Sequence, residues 1–141
     1  MVGAMVFAIG NTLRGDDGAA HRLADLLSAG PGVDVRRVQQ LTPELAEAMA
    51  HATTVVFADA DPGAETVRWE RLGATAGRSS ISHSMAPAEL LALARRLYDF
   101  RGTAYVCHIP ARDFTPGSAL TPVAEAGARG GAGFVAAYLR K

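Results

Sequence analysis

Three short apolar runs constrain this chain most: AMVFAI at 4–9, TVVFA at 54–58 and TAYVC at 103–107. None alternates with polar residues, which is the pattern of strands buried on both faces. Segments of helical periodicity separate them. In 17–28 the apolar positions Ala20, Leu23, Ala24 and Leu27 form one stripe, stopped by Gly30-Pro31-Gly32. Thr42-Pro43 reads as a cap followed by proline at the first helical position, opening a short helix to about Ala50. Pro87 opens a stronger helix, with Leu90, Leu93, Ala94 and Leu97 on one face and Gly102 after its end. Thr121-Pro122 opens a last helix. It contains Gly127, Gly130, Gly131 and Gly133, each costing about 1 kcal/mol relative to alanine, so a break is expected there. Residues 33–38 (VDVRRV) and 66–72 (TVRWERL) alternate and read as edge or half-exposed strands. Residues 73–85 are small and polar and read as a loop, and 108–120 are irregular. Strands alternating with helices predict an α/β domain with a largely parallel sheet and helices on both faces.

The chain has 141 residues, read as one domain over 1–141. Apolar residues make up 49% and charged residues 20%, which fits a compact fold and argues against disorder. Aromatics are only 6%, so the core must rest on Ala, Leu and Val. Fourteen Lys and Arg balance fourteen Asp and Glu, leaving no basic footprint for nucleic acid or an anionic membrane. No apolar run approaches the ~20 residues of a membrane span. The opening MVGAMVFAIG lacks the basic start of a signal peptide, so a cytoplasmic location is expected. The single cysteine rules out an intramolecular disulfide and a cysteine-rich zinc site.

Ligands of open α/β sheets collect beyond the carboxyl ends of the strands. Three polar features fall at that level. They are Gly10-Asn11-Thr12-Leu13-Arg14-Gly15-Asp16-Asp17-Gly18, Asp59-Ala60-Asp61-Pro62-Gly63, and Ser79-Ser80-Ile81-Ser82-His83-Ser84. Gly10 and Gly15 have the separation of a phosphate loop, but Asp16 and Asp17 stand where Lys and Ser or Thr would be needed, and their charge repels phosphate. Carboxylates with an imidazole suit a divalent metal such as nickel, zinc or manganese, and three protein ligands leave coordination positions open. The plain alternatives are a first-turn helix charge at Asp17, a strand terminator or cap at Asp59, and an exposed loop histidine at His83. There is no G-x-S-x-G elbow. Cys107 and His108 are neighbours on a strand and point to opposite faces, so they form no catalytic pair, and Cys107 reads as a small buried hydrophobe. His21 lies one turn after Asp17 and reads as a surface histidine able to assist a metal. His51 reads as a helix C-terminal charge partner, and Trp69 as packing on an edge strand.

The polar motifs in this order resemble the hydrogenase maturation endopeptidases. Residues 10–18 match that family's G-N-x-L-x-x-D-[DE]-G signature, and Val55 through Ala60 its apolar strand ending in Asp-Ala. Ser82-His83-Ser84-Met85 followed by Ala88-Glu89-Leu90-Leu91 resembles its histidine loop and leucine-rich helix. Ile109-Pro110 through Phe114, Gly117 and Leu120-Thr121-Pro122-Val123 resembles its closing segment. The resemblance implies a three-layer α/β/α sandwich with a mixed, mainly parallel sheet of about five strands. It also implies an endopeptidase that removes a C-terminal extension from the large subunit of a nickel–iron hydrogenase after nickel insertion. The implied nickel contacts fall on Asp17, Asp59 and His83, with the metal supplied by the precursor. The implied general base is Asp17 or its neighbour Asp16. The expected partner is the large-subunit precursor, with no nucleic acid or membrane, and the expected state is a monomer. A non-catalytic metal-sensing or precursor-binding maturation factor is the alternative. Ala20 stands where many members have glycine, Asp61-Pro62-Gly63 is tighter than usual, and the glycine-rich stretch 127–133 is an unusual tail.

Overall fold

The computed structural model describes residues 2–27, 30–73 and 85–140. Its centre is a five-stranded sheet built from β1 (Val2–Ile9), β2 (Val33–Val38), β3 (Ala52–Asp61), β4 (Arg68–Arg71) and β5 (Thr103–Pro110), in the order β2-β1-β3-β5-β4. The first four in this order run parallel, and β4 pairs antiparallel to β5 at the edge. The three apolar runs are the three inner strands. Both alternating segments lie at the edges, because an edge strand covered on one face can afford polar residues on the other.

Helices cover both faces. On one side α1 (Ala19–Leu26) and α4 (Pro122–Leu139) pack with Val6, Ala8, Val56, Ala58, Cys107 and Ile109 of the sheet. On the other, α2 (Leu45–Met49) and α3 (Pro87–Tyr98) pack with Met5, Phe7, Val55, Phe57, Ala104 and Val106. Successive strand residues divide between the two cores, as the two-residue period requires. Phe7 and Phe57 stack with ring centroids 5.4 Å apart, supplying much of the aromatic bulk on the α2/α3 side. Trp69 stacks on Tyr105 at 4.8 Å and meets Phe134 and Tyr138 of α4, which closes the β4 edge and bears out its reading as packing.

The expected break in the last helix does not occur: α4 runs unbroken from Pro122 to Leu139. Its glycines buy close packing against the sheet. A Cβ at Gly127 would lie 2.8 Å from Pro110 Cδ, and one at Gly131 2.9 Å from Leu23 Cδ1. The burial gained by α4 outweighs the propensity cost that the sequence displays. The strands also extend further than the apolar runs. β3 continues through Asp59 to Asp61 and β5 through His108 to Pro110, so the chemistry-bearing residues sit within the paired strands. The first helix begins later than expected, because Gly15–Gly18 form a 3₁₀ turn ahead of α1. Among the described residues no helix is long and apolar enough to cross a membrane.

Candidate functional site

The chain leaves β1 toward β2 on one side, while β3 lies on the other, so the strand order reverses between β1 and β3. A crevice forms at such a switch point beyond the carboxyl ends of the strands. Here it is a cleft of about 210 Å³ lined by Ile9, Gly10, Asp17, Gln39, Gln40, Leu41, Asp59, Met85 and Pro87. The ends of β1 and β3, the loop after β2, the 3₁₀ turn and the start of α3 all contribute to it. A larger cavity, of about 400 Å³, opens at the opposite pole between Gly3, Thr53 and Tyr138. Among the described residues its lining includes no carboxylate, imidazole or thiol side chain.

Asp17 reaches the cleft because the 3₁₀ turn folds back on the end of β1. Gly10 makes this possible. Its φ is +142°, and a Cβ there would lie 1.9 Å from the carbonyl oxygen of Asp17, so only glycine lets the two segments touch. Gly10 N donates to the Val38 carbonyl at 3.0 Å, and its own carbonyl meets Nε2 of His21 at 2.8 Å. His21 is therefore a brace for the loop. Asn11 N donates to Oδ2 of Asp17 at 2.7 Å, fixing that carboxylate.

Asp59 is presented by β3. It shares the face of Val55 and Phe57, so it points to the α2/α3 side, where the cleft lies. Burial raises its pKa most, the nearby Asp17 charge adds to this, and Asp61 contributes in the same direction. A backbone hydrogen bond at Ala60 opposes them, and the carboxyl is pushed up to about 7. The Asp17 and Asp59 carboxylates thus sense each other across the cleft, a like-charge pair whose repulsion a cation would relieve.

Asp16 takes a different place from its neighbour. It is 0% exposed. Its Oδ2 accepts from Arg112 N at 2.7 Å, from Asp113 N at 3.1 Å and from the Thr121 hydroxyl at 2.8 Å, while Oδ1 accepts from Thr121 N at 2.8 Å. Burial alone would raise its pKa, but the bonds from Thr121, Arg112 and Asp113 outweigh this and hold it below the ordinary value. The Thr121 hydroxyl also accepts from Ala124 N at 3.2 Å, which caps α4 as its Thr-Pro sequence predicts. Asp16 therefore clamps the first loop to the closing segment, and Asp17 alone of the pair lines the cleft.

His83 lies outside the described residues, as do the serines around it. Among the described residues no three His, Cys, Asp or Glu side chains gather as a metal site. The fit of this cleft to a metal rests on two oxygen donors, Asp17 and Asp59, which suit a divalent ion but do not complete a site. The segment containing His83 enters α3 through Met85 and Pro87, both on the cleft wall. Sequence reasoning missed a second cluster on the same sheet face. His108, registered against Asp59 in the ladder, meets Oδ2 of Asp61 through Nδ1 at 3.1 Å and Oε1 of Glu70 through Nε2 at 2.8 Å. Arg68 lies 3.4 Å from Asp61 and 3.7 Å from Glu70. The alternation of VRWER was the available signal, since it puts Arg68 and Glu70 on one face. Cys107 faces the opposite core, and burial pushes its thiol up to about 12, leaving it inert at neutral pH.

These features define an α/β/α protein with a carboxylate-bearing cleft at the switch point, and its fold is that of the hydrogenase maturation proteases. The maturation protease HycI of Thermococcus kodakarensis matches it with a TM-score of 0.75 at 18% identity, over 99% of this chain and 94% of that one. The hydrogenase-maturating endopeptidase HybD of E. coli gives 0.71 at 21% identity, over 99% and 93%. A hydrogenase 2 maturation peptidase from a Thaumarchaeota archaeon gives 0.69 at 20% identity, over 97% of each chain. At these identities what is shared is the fold. No protein-family model matches the chain, and no curated protein matches it.

Proposed function

We propose that this protein is an endopeptidase of hydrogenase maturation. It removes a C-terminal extension from the large subunit of a nickel–iron hydrogenase after nickel has been inserted. The observation that carries the reading is the pair Asp17 and Asp59 facing one cleft at the switch point of a maturation-protease fold. Nickel is part of the substrate in this reading. Asp17, Asp59 and His83 complete the coordination of an ion that the precursor already holds, so an unloaded precursor is a poor substrate. Two carboxylates and an imidazole, without a thiolate, suit such transient contact better than ownership of nickel. The metal's positive charge would favour docking of the loaded chain and polarise a nearby carbonyl.

This chain's own residues supply the rest. Asp17 uses Oδ2 to accept from Asn11 N, and its other oxygen takes the proton of the attacking water. Asp16 is spent on four hydrogen bonds, which favours Asp17 over Asp16 as base. Gln39 on the cleft wall offers an amide group to an extended peptide. The protein works in the cytoplasm as a monomer, with the precursor as its partner.

Intact-mass analysis of nickel-loaded precursor after incubation with the protein tests this. Loss of a discrete C-terminal peptide is expected with wild type, and none with Asp17→Ala, Asp59→Ala or His83→Ala. Cleavage that persists in His83→Ala removes the three-ligand site. Binding without cleavage by wild type favours a non-catalytic maturation factor.

A further inference from the structure

We propose that His108 is a positioning residue: it holds the Asp61 carboxylate aside, so that a cation in the cleft meets Asp17 and Asp59 without a third carboxylate. The inference rests on the cation-contacting part of the reading above and deepens it, since it accounts for a protein that touches the precursor's nickel without keeping the metal.

Asp59 and Asp61 stand two residues apart on β3 and share the sheet face that bears the cleft. His108 of β5 is the ladder neighbour of Asp59, yet its ring turns to two other carboxylates. Nδ1 lies 3.1 Å from Oδ2 of Asp61, and Nε2 meets Oε1 of Glu70 at 2.8 Å. Arg68, opposite His108 in the β4–β5 ladder, approaches the same Oδ2 at 3.4 Å. The other oxygen of Asp61 accepts from Gly63 N at 2.8 Å, in the turn after β3. Both oxygens of Asp61 are therefore engaged, and neither it nor any of these partners lines the cleft. Asp59, by contrast, has no ion-pair partner among the described residues.

The spacing gives this arrangement its consequence. Two residues of strand span about 6–7 Å, and the charge of Asp61 already registers at Asp59, whose pKa it helps to raise. A carboxylate this close, released from its donors, has the reach to turn toward an ion at Asp59. Affinity for a divalent cation rises with the number of charged oxygen ligands, so a third carboxylate converts passing contact into a resident site. His108 and Arg68 match the charge of Asp61 where it stands, and Glu70 fixes the imidazole from its far nitrogen. A latch that merely tied β3 to β4 would have the opposite signature, because its loss would loosen Asp59 and weaken cation binding.

The test is calorimetric titration of the full chain, without precursor, with Ni²⁺ alone. His108→Ala is expected to bind Ni²⁺ about tenfold more tightly than wild type, the Coulomb scale for one further charge beside a divalent ion in water. His108→Gln, which keeps a donor only toward Glu70, follows the alanine variant. His108→Asn keeps a donor near the Nδ1 position and retains the wild-type affinity. Adding Asp61→Asn to His108→Ala cancels the gain, which assigns it to that carboxylate. Melting curves establish that each variant is folded. In cleavage of loaded precursor, added Ni²⁺ inhibits His108→Ala at a lower concentration than wild type. Equal or weaker Ni²⁺ affinity in His108→Ala and His108→Gln overturns the proposal, as does a gain that survives Asp61→Asn. Wild type that cleaves no loaded precursor overturns the proteolytic reading alone, because the Ni²⁺ titration needs no cleavage.

Discussion

Replacing Asp16 by alanine removes the acceptor of four hydrogen bonds from a fully buried position. Three backbone N–H groups, of Arg112, Asp113 and Thr121, then lose their partner, and the Thr121 hydroxyl loses its anchor while still capping α4. Each buried group left unsatisfied costs about 1–3 kcal/mol, and partial relaxation makes the sum less than additive, so about 3–5 kcal/mol is expected. For a chain of this size that lowers Tm by about 10 °C or more. Asp16→Asn should fall between alanine and wild type. Its amide oxygen can serve the three donors at Oδ2, but its amide N–H₂ then faces the N–H of Thr121. The acid dependence follows from the lowered pKa. The folded state binds fewer protons than the unfolded chain around the ordinary value of 3.8, so this stabilisation is present above that pH. It is lost as pH falls through the lowered folded value. Urea unfolding at pH 7, with thermal melts at pH 7 and pH 3, measures both effects. A pH 7 loss below about 1 kcal/mol in Asp16→Ala would refute the clamp, as would a gap to wild type that does not narrow in acid.

The neighbouring residue should behave in the opposite way: Asp17→Asn abolishes precursor cleavage while shifting stability by no more than about 1 kcal/mol, since it keeps an oxygen for Asn11 N; a melt as low as that of Asp16→Ala would contradict this. Asp59 has a raised pKa, so the folded state binds the extra proton and stability declines as pH rises from about 4 toward 7. Asp59→Asn should therefore melt higher than wild type at pH 8 but not at pH 4.5, and differential scanning calorimetry at the two pH values decides it. Gly10→Ala forces a Cβ into the Asp17 carbonyl at an unfavourable φ, and should cost more than about 2 kcal/mol along with activity. Gly133→Ala, with nothing within 4 Å of the added atom, should gain about 0.5–1 kcal/mol by helix propensity, read from the urea midpoint.

Much of the site's address was legible in the chain. Continuous apolar runs read as inner strands of a parallel sheet, and polar residues following them gather at one pole, so the sequence puts Asp17 and Asp59 at the same end. Thr121-Pro122 announced a helix start, and VDVRRV an edge. These features are local, fixed by the period of the pattern and by the chemistry of a cap. The glycines of α4 misled because propensity counts only the helix itself, whereas Gly127 and Gly131 are set by the distance to Pro110 and Leu23.

What only the tertiary structure decided is the difference between adjacent aspartates. Asp16 and Asp17 carry the same side chain, and nothing in their order says which is buried among donors and which faces the cleft. That choice comes from residues about a hundred positions away, at Arg112 and Thr121, which meet Asp16 only when α4 has packed on the sheet. The raised pKa of Asp59 is likewise a property of its surroundings, because burial and the charge of Asp17 exist there only once β1 and β3 lie side by side. The sequence alone determined the element types and the pole at which they present their polar ends, since both follow from local periodicity. The roles of individual carboxylates depend on dielectric and donors supplied by distant segments, and these exist only in the folded chain.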